Sequence, residues 1–276
     1  MQVFKSYRCV LCATAALLLS PALLIGQDRD ARNLTPLQLQ IEKQRVRLSS
    51  TELEERRDAL TSLGSMRHHE ASRAAVAALN DPLPIIRGTA ASSILSLPSE
   101  EAASHLTPLL KDKDEFVRRE AAYALGKTGS RSAVSALSEL LLTDKEDGVR
   151  GAAAVALGQI ADEAAVVPLS AVLNPQVSMP ASKSKKTKKP RREPNVFVLR
   201  SAARSLGQIG SRAGSPSLIL VLQDEKAEDD LRRESAAALG RIGDASALPS
   251  LRAALTARDP YLAEAAKEAI HRITQQ

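Results

Sequence analysis

Along the chain from about residue 36, apolar positions return at helical rather than strand spacing. In residues 132–144 (SAVSALSELLLTD), Val134, Leu137, Leu140 and Leu141 share one face of a 3.6-residue period. The polar stretch 144–148 predicts a turn, and a second helix is predicted from Val149 to Ile160. Small residues in that second helix allow close neighbours, while Val155 and Leu157 supply bulk. Gly158, directly after the Leu, predicts a left-handed residue closing the last turn. Asp81-Pro82 and Asp259-Pro260 predict helix starts, each with an Asp N-cap and a first-turn Pro.

The second-helix pattern recurs. VRREAAYALG (117–126), VRGAAAVALG (149–158), VLRSAARSLG (198–207) and LRRESAAALG (231–240) superpose directly. ERRDALTSLG (55–64), IRGTAASSIL (86–95) and LAEAAKEAIH (262–271) are weaker copies. The penultimate apolar residue falls at 63, 94, 125, 157, 206, 239 and 270, with steps of 31, 31, 32, 49, 33 and 31. A constant period means a solenoid in which no unit buries its apolar stripe alone. Seven two-helix units follow, near 36–64, 70–96, 100–127, 131–160, 162–209, 213–242 and 245–274, hence fourteen helices. The predicted class is an all-α superhelix over 27–274.

These residues resemble the HEAT repeat, in its short phycobilisome-lyase-type form. The resemblance rests on the Val-Arg-x-x-Ala-Ala-x-Ala-Leu-Gly helix and on an Asp six residues before an Arg: Asp81/Arg87, Asp112/Arg118 and Asp144/Arg150. The family implies that such pairs sit at the turn within each repeat and bond along the stack. Physically, the Asp can cap the second helix, and the Arg can reach an Asp or carbonyl of an adjacent repeat. Two copies depart: Asp224 and Arg232 are eight apart, and Ala263 replaces the last Arg, as suits an end cap. Thr107-Pro108-Leu109 imitates an ankyrin motif but does not recur, and the tetratricopeptide pattern needs aromatic positions missing here.

Composition agrees with thin helices: six aromatic residues, no Trp, and 44% hydrophobic residues that are chiefly aliphatic. Residues 1–26 carry Lys5 and Arg8 ahead of an apolar run from Cys9 to Ile25, the order of a secretory signal peptide. Cleavage after Gly26 would deliver the chain to the periplasm or outside a bacterial cell; an uncleaved segment would anchor it to the membrane. Both cysteines lie in that segment, so a mature chain would have no disulfide or thiolate site.

The 49-residue step contains an insertion, 175–194 (PQVSMPASKSKKTKKPRREP), with nothing apolar enough to pack. A tolerated, solvated loop is the favoured reading. The functional reading makes Lys183, Lys185, Lys186, Lys188, Lys189, Arg191 and Arg192 a tether for a polyanion: nucleic acid, acidic protein or anionic lipid. The formal charge of +6 changes meaning once it is located. It divides into +2 in residues 1–26, +6 in the insertion and −2 elsewhere, so the solenoid itself is slightly acidic.

Catalytic motifs are wanting. Gly126-Lys127-Thr128 imitates a phosphate loop, but Ala121 stands where that motif needs Gly. His69-Glu70 is one His-Glu dipeptide, and no His-Glu-x-x-His or Gly-x-Ser-x-Gly occurs. The expectation is a scaffold without enzymatic activity or cofactor that binds protein or peptide. Its expected contacts are the variable outward residues Arg119, Tyr123, Arg200, Arg204 and Arg233. The subfamily's name adds a bilin lyase-like activity, against which export and a cysteine-free mature chain both argue.

Overall fold

Alternating runs of helix-forming residues and short polar turns fold into helical hairpins, each burying the face its neighbour needs. The computed structural model describes residues 34–174 and 195–275. Among these residues there are fourteen α-helices and no strand. In chain order they are α1 (Pro36–Leu48) and α2 (Leu53–Ser65), followed by the pairs α3 (His69–Ala75) with α4 (Pro84–Ser93) and α5 (Ser99–Leu106) with α6 (Glu115–Thr128). Then come α7 (Val134–Thr143) with α8 (Asp147–Ile160), and α9 (Val166–Leu173) with α10 (Val196–Ile209). The last pairs are α11 (Ser215–Gln223) with α12 (Asp229–Ile242), and α13 (Leu248–Ala254) with α14 (Pro260–Thr274). The signal segment 1–26, the insertion 175–194 and Lys183–Arg192 within it lie outside the described residues.

Residues from Gln40 onward form one compact unit, a stack of repeats in which the even-numbered helices make one layer. The core is aliphatic: Leu60, Leu63, Ile86, Leu125, Leu157 and Leu206 are fully buried. Each such leucine contributes roughly 2 kcal/mol by leaving water. No described aromatic residue is in that core.

Helix ends differ from the sequence expectation in two ways. The Gly after the penultimate Leu does not cap its helix. A Cβ added at Gly126 would lie 2.7 Å from the Ala156 Cα, and one at Gly240 2.7 Å from the Ala269 Cα. These glycines are where successive second helices touch. The left-handed caps come three residues later, at Gly129 (φ 67°), Gly210 (φ 74°) and Gly243 (φ 73°), with Ala161 (φ 55°) in the fourth repeat. Asp259 is an N-cap as expected, accepting bonds from the Tyr261 and Leu262 amides. Asp81 is not: α4 starts at Pro84, and Asp81 accepts a bond from the Leu83 amide in the turn before it.

Candidate interaction surface

The turns within repeats hold a line of paired charges. Arg87 donates from Nε and Nη2 to the two carboxylate oxygens of Asp112, at 2.7 and 2.8 Å. Its Nη1 donates to the carbonyls of Asp81 and Pro82. Arg118 repeats this arrangement with Asp144 at 2.7 and 3.1 Å and with the carbonyls of Asp112 and Lys113. Arg56 pairs with Asp81 in the same sense. Arg87 and Arg118 thus each clamp their own turn, and all three guanidinium groups reach the Asp of the next repeat. That Asp in turn accepts an amide bond from two residues ahead, at Leu83, Asp114 and Glu146. Arg87 and Arg118 are each only 7% exposed. Burial alone would raise the Asp112 carboxyl, but the bonds from Arg87 and the Asp114 amide outweigh it and hold Asp112 below its ordinary range. Arg87 and Arg118 are raised, chiefly by their hydrogen bonds to Asp112 and Asp144.

The line ends at Arg150, and here the expected ladder is corrected. Arg150 donates to the Leu141 carbonyl and to Asp147, both in its own repeat. Where the next turn Asp would stand is Asn174, which donates to the Ser217 carbonyl at 2.9 Å instead, and the insertion follows it. The next second helix has Leu199 at the ladder position, and Arg232 after it bonds the Leu222 carbonyl and Asp229.

A different network takes over. Arg204 reaches Glu234 at 2.6 Å, and Arg200 reaches Asp230 at 3.2 Å. Arg233 pairs with Asp259 at 2.6 Å and Asp230 at 2.8 Å, and lies over the Tyr261 ring. Arg241 also donates to Glu234. Burial pushes Glu234 up, yet the bonds from Arg204 and Arg241 leave it lowered. The expected partner contacts Arg200, Arg204 and Arg233 therefore also join repeats, on an exposed face. Arg119 pairs with Glu120 at 3.6 Å and lies over Phe116, while Tyr123 is half-buried one turn on.

Three residues of this face escaped the sequence reading: Phe116, Phe197 and Tyr261. They share one register, the residue before the first apolar position of the second helix. Phe197 is 48% and Tyr261 71% exposed. With Tyr123, they place all four described aromatic residues on second helices. The Phe116 ring covers Gly88 of the preceding repeat, and the Phe197 ring covers Gly151; a Cβ at either glycine would collide with the ring. Gly88 and Gly151 stand in the sequence column of Arg119, Arg200 and Arg233, and they are the seats of these rings.

The other candidates are structural. His68 stacks with His69 at 4.4 Å and accepts the Glu70 amide as the cap of α3. Among the described residues, no three His, Cys, Asp or Glu are grouped to hold a metal. A groove of about 500 Å³ beside the Arg118–Asp144 pair is lined by Leu110, Leu140, Lys111 and Glu139.

A family model described as HEAT repeats matches residues 42–126, 109–179 and 190–271. The chain belongs to the HEAT-repeat family. The interval the three matches leave uncovered, 180–189, falls inside the insertion. Solved structures similar to this HEAT-repeat chain include an engineered protein, at 22% identity and TM-score 0.51, covering 85% of this chain and 68% of that one. The complex of CpcE and CpcF of phycocyanin lyase from Nostoc sp. is similar at 23% identity and TM-score 0.50, covering 92% and 100%. Escherichia coli YibA is similar at 19% identity and TM-score 0.51, covering 85% and 92%. These likenesses carry the fold. No curated protein matches the sequence significantly.

Proposed function

We propose that this HEAT-repeat chain is a non-enzymatic scaffold, exported from a bacterial cell, that binds a protein or peptide on its second-helix layer. The observation that carries the reading is the placement of its few rings. An aliphatic protein spends every described aromatic side chain on one layer and none in its core, with arginines interleaved. Tyrosine and arginine dominate binding energy in protein interfaces, because large, stiff groups bury much area at small entropic cost. The first-helix layer has no aromatic residue among its described positions. The repeat fold supports the reading further, since stacked repeats offer one extended surface. Export rests on residues 1–26 and is checked by sequencing the N-terminus of the protein recovered from the cell envelope.

Site-specific photocrosslinking in the native cell tests the scaffold reading. A crosslinking residue at Tyr123 or Phe197 is expected to capture a defined partner, and one at the exposed first-helix Val167 to capture none. Equal capture from Val167, or capture from Val167 alone, would overturn it.

A further inference from the structure

The second-helix layer is not uniform along the stack. Each helix turns the positions i, i+3 and i+7 to one side. In α6 these are Phe116, Arg119 and Tyr123, and in α10 they are Phe197, Arg200 and Arg204. In α8, between them, they are Gly148, Gly151 and Val155. The middle helix is thus a low band between two taller ones. Among the described residues, none lies within 4 Å of the place where a Gly148 Cβ would be, and the Phe197 ring reaches back across Gly151. Val155 and the Phe197 ring give the band an apolar floor.

Its rims are cationic. Arg119 and the exposed Lys127 stand on one side, and Arg200 and Arg204 on the other. Glu120 is the one carboxylate on this stripe of α6, and α8 and α10 have none at the matching positions. Asp230 and Glu234 of α12 each engage one rim arginine, yet Arg204 keeps 54% of its side chain exposed. Towards both ends of the stack the matching positions carry more carboxylates than cations: Glu54 and Asp58 with Arg57 on α2, and Glu264 and Glu268 with Arg272 on α14. The positive centre therefore lies on a slightly acidic body.

We propose that this band seats an extended acidic peptide, with apolar side chains alternating with carboxylates. The proposal rests on the scaffold reading above and names its partner's chemistry. Helix α8 has 14 residues, so the band is about 20 Å long at 1.5 Å per residue. An extended chain advances about 3.3 Å per residue, and roughly six residues fill that length. Alternate side chains of such a segment point to opposite faces, so one set meets Val155 and Phe197 while the other is reached by the long rim arginines. A basic segment would meet four cations and is rejected by charge.

The test uses the full chain and three fluorescent hexapeptides, alternating Phe with Glu, with Gln or with Lys. The Glu peptide is expected to bind about tenfold more tightly than the Gln peptide and to weaken with added salt, and the Lys peptide not to bind. Val155→Glu places a carboxylate on the floor and is expected to abolish binding with helical circular dichroism unchanged. Arg119→Glu combined with Arg204→Glu should transfer preference to the Lys peptide. Equal binding of the Glu and Gln peptides overturns the proposal. So does Glu-peptide binding that survives Val155→Glu but is lost when 175–194 is deleted, an outcome that moves the acid-binding site to the insertion. If Tyr123 crosslinks a partner in cells while the Glu peptide shows no advantage, the scaffold reading stands and the acidic segment alone is withdrawn.

Discussion

The first four repeats and the last three solve the same problem with opposite kinds of charge pair. Between Arg56 and Asp144, each link is a guanidinium and a carboxylate largely closed off from water, and those of Arg87 and Arg118 are braced by turn carbonyls as well. Between Arg200 and Asp259, the links lie across the outward face of the second helices, and the arginines are more exposed: 41% at Arg200, 54% at Arg204 and 33% at Arg233, although the Asp259 carboxylate is itself closed off. The packing beneath is shared: Gly64, Gly126 and Gly158 in the first half and Gly207 and Gly240 in the second each lie against the next second helix. The halves therefore differ in electrostatics rather than in architecture, and the change falls where the insertion replaces a turn. A repeat protein can thus lose one kind of inter-repeat link and recover another, provided the helix-to-helix seam is kept.

The largest expected effect comes from removing one partner of a closed pair. Arg118→Ala leaves the buried Asp144 carboxylate without its guanidinium and the Asp112 and Lys113 carbonyls without a donor, and should cost about 3 kcal/mol in urea denaturation. The first-half pairs also carry an acid signature. Because Asp112 is held below its ordinary value of 3.8, the unfolded chain takes up its proton first as pH falls. The stability it contributes is complete above about pH 4, declines below that, and is gone once pH passes the depressed folded value. Asp112→Asn should flatten that part of the stability curve. An unchanged acid limb in the variant would show that Asp112 is not a stabilising charge.

The shared seam is tested by adding one methyl group. Gly126→Ala and Gly207→Ala press a Cβ against the Cα of Ala156 and of Ala238, and both should lose about 2 kcal/mol in the same denaturation experiment. Gly148→Ala, with no described residue within 4 Å of the added Cβ, should be neutral or gain up to about 1 kcal/mol of helix propensity. A much smaller loss at Gly207 than at Gly126 would mean that the halves differ in packing as well, and the electrostatic account of the seam would have to be abandoned.

What the sequence made legible follows from what each feature depends on. Helix pairs and the buried leucines were readable because periodicity is local, and repetition multiplied a weak signal seven times. The direction of the Asp–Arg line was half readable. The six-residue spacing places both residues at one turn, but the bond runs to the next repeat, about 25 residues away. The role of Gly158 was misread because a Gly near a helix end suits a cap and a close contact equally, and only the position of Ser205 on the next second helix decides. The ring-over-glycine pairs were missed because each joins two repeats, Gly88 with Phe116 and Gly151 with Phe197. A column-by-column reading of single repeats hides such a pair; comparing each column with the next repeat exposes it.

The smallest expected effect concerns the open links, and it sharpens the contrast most. Arg204 bonds Glu234 at 2.6 Å, but its side chain is mostly in water, where ordering a long arginine offsets much of the attraction. Arg204→Ala should cost less than about 1 kcal/mol, and raising the salt concentration should shrink that difference further. The loss from Arg118→Ala should barely respond to salt, because its pair is shielded from mobile ions. Measuring both variants at low and high salt therefore separates two quantities that one denaturation curve merges: how strongly a link holds and how far solvent reaches it. If Arg204→Ala proved as costly and as salt-insensitive as Arg118→Ala, the exposed network would be a second closed ladder. The rim arginines would then be committed to holding repeats 5 and 6 together rather than available to a partner.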